Sequence, residues 1–141
     1  MFRDYKLEFR VLIKFMTKKP IILLIEPDEF LADIYEKNLT MNGFKVVSSK
    51  TGEKGFVLAQ TKEPKLILLE VALGKENGFD VLARIKGNKT TKNIPVIIIT
   101  KLGQKKDVQK GLELGALDYI IKIHFSPSEL VDKVKRVLAG N

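Results

Sequence analysis

A chain of 141 residues, 45% hydrophobic and 30% charged, has the size and make-up of one globular domain with a substantial core. The absence of cysteine excludes disulfides and thiolate metal sites, and no apolar run approaches the roughly 18 residues that a membrane span requires. The net charge of +8 is spread over a lysine-rich sequence without interleaved stacking aromatics, so the expectation is a cytoplasmic domain with neither nucleic acid nor membrane as its own partner.

Residues 1–19 carry a net charge of +4 and read as an N-terminal extension, with the domain proper at 20–141. Tyr5, Leu7, Phe9, Val11, Ile13 and Phe15 alternate as in a strand, while Phe2, Tyr5, Phe9, Leu12 and Met16 also follow a helical stripe. Both readings stay open. No small-residue cleavage site follows the short run Val11-Leu12-Ile13, so no signal peptide is read.

From Pro20 onward strands and helices alternate. Ile21–Ile25 is a continuous apolar run rich in β-branched isoleucine, suited to a strand buried on both faces. Asp28 is placed to cap a helix ending near Asn42, with Gly43 as its stop. Residues 44–48 read as a second strand nearer an edge, 53–62 as a helix carrying Phe56, Val57 and Ala59, and 65–69 as the third strand. Asn77 or Gly78 opens a helix with Phe79, Leu82 and Ile85 on one face. The fourth strand spans 94–99, with Pro95 tolerated only at its beginning. A helix over 104–114 carries Val108 and Leu112 one turn apart and stops at Gly115. Leu117–Ile121 is the fifth strand. Ser126-Pro127-Ser128-Glu129 then has the form of a capping box, with proline at the first helical position, opening a last helix through Leu130, Val134, Val137 and Leu138. Five such pairs with short connections predict an α/β fold, a parallel sheet covered on both faces.

Four of these strands end in residues able to do chemistry: Glu26 with Asp28, Glu70, Thr100 and Lys122. Parallel strands bring those ends to one rim, which is where open α/β sheets place their sites. Taken with the stretch from Pro64 to Phe79, Gly78 eight positions after Glu70, and Gly115-Ala-Leu-Asp-Tyr119-Ile-Ile-Lys122, the set resembles a response-regulator receiver domain of two-component signalling, similar to chemotaxis regulators. The resemblance runs from about Pro20 to Asn141 and implies a flavodoxin-like doubly wound sheet of order 2-1-3-4-5. It implies that Glu26 matches the first of two magnesium-holding acids and Glu70 the phosphoacceptor. Thr100 then matches the hydroxyl that moves to meet the phosphoryl group, Lys122 the cation that pairs with it, and Tyr119 the aromatic switch residue.

Three departures alter what this resemblance implies. Glu70 replaces aspartate, and its carboxylate reaches roughly 1.5 Å further, about one C–C bond; displacements of about 1 Å cost on the order of 100-fold in an oriented reaction. Pro27 stands where the second metal acid belongs, leaving Glu26, Glu70 and the carbonyl of Ala72 for weak Mg2+ binding or none. Ile123 follows Lys122 where proline is usual, so a trans peptide and a different path for residues 123–126 are expected. The expectation is an atypical receiver without an output domain or enzyme activity, in which Lys122 and the Thr100 hydroxyl engage Glu70. It would bind a histidine kinase or downstream signalling protein through the last two helices and strand five, as a monomer or homodimer. The alternatives are a working phosphoacceptor, and an interaction or dimerisation module indifferent to its pocket. The single histidine, His124, lacks ligand partners in the sequence.

Overall fold

The strand at Ile21–Ile25 (β1) opens a chain of alternating elements in a computed structural model that describes residues 8–10 and 18–140. There follow α1 (Glu29–Met41), β2 (Lys45–Ser49), α2 (Gly52–Thr61), β3 (Leu66–Leu69), a short pair β4 (Ala72–Leu73) and β5 (Glu76–Asn77), and α3 (Gly78–Gly87). The chain continues through β6 (Val96–Thr100), α4 (Lys105–Glu113), β7 (Asp118–Ile121), a 3-10 turn at Lys122–His124, and α5 (Pro127–Leu138). The sheet is parallel throughout, in the order β2-β1-β3-β6-β7. With the β4–β5 hairpin set aside, this is the expected flavodoxin-like order 2-1-3-4-5. Most of the extension at 1–19 lies outside the described residues, so neither reading of it is tested.

Alternation along the central strands divides the core in two. Leu23, Ile25, Ile67, Leu69, Val96 and Ile98 face α2 and α3 with Phe56, Phe79, Leu82 and Ile85. Ile22, Leu24, Leu66, Leu68, Ile97 and Ile99 face α1 and α5 with Tyr35, Leu39, Leu130 and Val134. Burial on both faces explains why these strands read as unbroken apolar runs. Truncating any one of these side chains to alanine would cost about 2–5 kcal/mol, so the rim is carried on a rigid base.

The local signals explain the element ends. Asp28 accepts from the amides of Phe30 and Leu31 and caps α1, while Ser126 and Glu129 form the reciprocal box at α5. Gly43 and Gly115 take φ of +93° and +107° beyond α1 and α4, where a side chain would be strained. Other expectations need correction. The β4–β5 hairpin was not foreseen, because two-residue strands carry no period. Pro95 precedes β6 rather than starting it. Val57 and Leu112 are exposed; α4 instead approaches the sheet at Gly111, where an added Cβ would lie 2.7 Å from Ile98 and 2.9 Å from the Tyr119 ring. Residues 123 and 124, within the expected different path of 123–126, belong to the 3-10 turn Lys122–His124.

Candidate functional site: a lysine held between two glutamates

Strand register builds the site. Ile25 pairs with Leu69, and the Glu70 amide donates to the Ile25 carbonyl at 3.0 Å, so Glu26 and Glu70 leave the sheet side by side. Lys122 follows β7 directly, and its Nζ donates to Glu26 Oε1 at 2.6 Å and to Glu70 Oε1 at 2.7 Å. The three side chains are 8%, 2% and 4% exposed. The remaining carboxylate oxygens are also satisfied: Glu26 Oε2 accepts from the Asp28 amide at 3.2 Å, and Glu70 Oε2 from the Ala72 amide at 2.9 Å. Every oxygen of both carboxylates therefore has a donor.

Burial and pairing compete at this cluster. Burial disfavours the charged ammonium of Lys122, but hydrogen bonds and charge from Glu26 and Glu70 outweigh it and raise its pKa. Burial raises the pKa of Glu26, and the nearby Glu70 charge adds to that, against the lowering effects of Lys122 and the Asp28 amide. The neighbouring Tyr35 hydroxyl is pushed up as well, mainly by burial. With both acids ionised the cluster carries one net negative charge.

The other expected residues form a second group. Thr100, the last residue of β6, is fully buried, and its Oγ accepts from the Leu102 amide at 3.3 Å. Its hydrogen bond is thus to Leu102 and not, as expected, to Glu70, because Lys122 and the Ala72 amide already satisfy that carboxylate. Tyr119 turns its ring under α4 against Gly111 and donates its hydroxyl to the Leu102 carbonyl at 2.6 Å. Burial, with the charges of Asp107 and Glu70, pushes that hydroxyl up to about 12. Ala72 meets the site through its amide, which donates to Glu70 Oε2. Ile123 does not displace Lys122: no described peptide is cis, and the 3-10 turn still delivers the ammonium to both acids. His124 is exposed and takes no part.

Sequence reasoning missed two residues. Leu102 joins Thr100 to Tyr119 through its own amide and carbonyl. Glu76 accepts from the amides of Gly52 and Glu53, both at 2.9 Å, and so ties the hairpin to the first turn of α2. Backbone contacts at separations of 17, 23 and 24 residues leave no local pattern to find.

Residues 22–135 match the family model of the response regulator receiver domain. The chain belongs to this family. Receiver domains are signalling modules of two-component systems. The DNA-binding dual master transcriptional regulator RpaA of Synechocystis is 38% identical over 119 residues, covering 84% of this chain and 49% of that protein. The chain spans about half the length of the curated relatives it matches. A solved response regulator from Chloroflexus aurantiacus is 30% identical with a TM-score of 0.79, covering 86% of this receiver and 99% of that chain. The CheY-like receiver of Methanospirillum hungatei, at 22% identity and a TM-score of 0.80, covers 87% of this chain and 96% of its own, and shows the same fold.

Receivers commonly hold Mg2+ at an acidic pocket, and the residues present here do not fit that ion. Both acids are already bridged by the Lys122 ammonium, Pro27 supplies no carboxylate, and Asp28 is turned to helix amides. Among the described residues, no three His, Asp or Glu side chains gather into a metal-holding group. Magnesium demands near-octahedral oxygen coordination, and every oxygen of both acids is already engaged by the Lys122 ammonium or a backbone amide.

Proposed function

We propose that this receiver acts by binding signalling proteins, with a pocket that works without a phosphoryl group. The observation that carries the reading is the Lys122 ammonium held by both Glu26 and Glu70. In this reading Glu70 stands at the phosphoacceptor position and gives Lys122 a permanent anionic partner. Its charge of −1 is about half that of a phosphoryl group, so any likeness to a phosphorylated site is partial. Thr100 and Tyr119 form the switch that relates the pocket to the surface. That surface comprises α4, β7 and α5, and its partner is a histidine kinase or a downstream signalling protein met in the cytoplasm.

The test is phosphorylation with acetyl phosphate and magnesium, read by intact mass. The unaltered chain is expected to gain no phosphoryl group, whereas a Glu70→Asp, Pro27→Asp variant gains one. A phosphoryl group located on Glu70 of the unaltered chain overturns the proposal.

A further inference from the structure

Between the β4–β5 hairpin and the first turns of α4 lies a cleft of about 760 Å³. Phe79 of α3 is among the residues that line it, and none of them comes from β7 or α5. Its walls combine Leu73, Phe79 and Leu102 with Lys75, Lys106 and Lys110. The Lys110 ammonium sits 4.9 Å from the centre of the Phe79 ring, fixing a cation over an aromatic wall. Two acids also border the cleft, Glu76 and Asp107. Glu76 is engaged, since both its oxygens accept from the amides that open α2. The balance left for an occupant is positive, over a partly exposed leucine.

We propose that this cleft seats an acidic segment of a partner protein, with an aliphatic or aromatic side chain of that segment against Leu102. Charge complementarity selects the acidic character, and the apolar wall selects a peptide over a bare anion. The segment would also sense the switch, because Leu102 is tied at both ends. Its amide donates to Thr100 and its carbonyl accepts from Tyr119. A side chain packed on Leu102 favours the arrangement in which both bonds are made, and a ligand shifts a conformational equilibrium only through such a difference. This assignment rests on the partner-binding reading above.

The probe is a fluorescein-labelled ten-residue peptide of alternating glutamate and leucine, titrated into the full chain. Polarisation gives Kd, and amide shifts at Leu102, Lys106 and Lys110 locate the site. Lys106→Glu with Lys110→Glu is expected to weaken binding at least about tenfold, whereas Lys37→Glu with Lys62→Glu, exposed on α1 and just past α2, leaves it within about twofold. Tyr119→Phe, which frees the Leu102 carbonyl, is expected to weaken it about fivefold, the value of one hydrogen bond. Absent shifts, an unaffected α4 lysine variant, or equal loss in the Lys37, Lys62 variant overturns the cleft. Displacement of the peptide by equimolar inorganic phosphate or duplex DNA also overturns it, since the site would then read charge alone. None of these readouts involves phosphorylation. A phosphoryl group on Glu70 would defeat the proposed function and leave the cleft standing, whereas an unaffected lysine variant would do the reverse.

Discussion

The ends of β1 and β3 differ from the ends of β6 and β7. The first pair carries Glu26, Pro27 and Glu70, and the second carries Thr100, Tyr119 and Lys122. Lys122 crosses from the second pair and closes onto the first, while Thr100 and Tyr119 meet at Leu102. One side of the rim is thereby paired from within, and the other links Thr100 to Tyr119 through Leu102. The two groups hang on different strands and make separate hydrogen bonds.

Removing that shared residue gives the largest effect. Lys122→Ala leaves two buried carboxylates facing each other without a cation, and breaking a buried pair in this way costs about 3–5 kcal/mol. Urea unfolding would measure it. A loss below about 1 kcal/mol would mean that the acids do not depend on the lysine.

A smaller effect sharpens the other side. Tyr119→Phe loses one hydrogen bond to the Leu102 carbonyl and is expected to destabilise the fold by about 1 kcal/mol, with faster hydrogen exchange at the Leu102 amide. Exchange unchanged at Leu102 would show that Tyr119 does not hold this loop.

The smallest effect is a titration. Burial raises the pKa of Glu26 above 4.5, so the native chain takes up this proton before the unfolded chain does. Within that window the contribution of Glu26 to stability increases as pH falls through the raised folded pKa, and decreases as pH rises through it. The Lys122 pKa is also raised. Its contribution is therefore full below the unfolded lysine value and is lost as pH climbs through the folded one. Carboxyl carbon shifts would follow Glu26 directly, and a midpoint at or below 4.5 would contradict the burial argument.

Much of the fold was legible without coordinates because its signals are short-range. The apolar runs of β1, β3 and β6, the Asp28 cap, the Ser126–Glu129 box and the glycines after α1 and α4 each lie within a few residues of what they control. Where reasoning slipped, the deciding contact was distant. Val108 and Leu112 have the right period for a buried stripe, yet α4 meets the sheet at Gly111, since only a residue without a side chain lets the Tyr119 ring fit beneath it. The hairpin after β3 depends on Glu76 reaching the start of α2, 23 and 24 residues back.

The order of residues alone determined which side chains stand at the strand ends: a longer acid at 70, an imino ring at 27, a hydroxyl at 100 and an amine at 122. It could not determine how they pair. Lys122 lies 96 residues from Glu26 and 52 from Glu70, and only the parallel sheet brings its ammonium within 3 Å of each carboxylate. In that dry space the ammonium goes to the two carboxylates because a buried charge must be paired, leaving Thr100 to bond with Leu102.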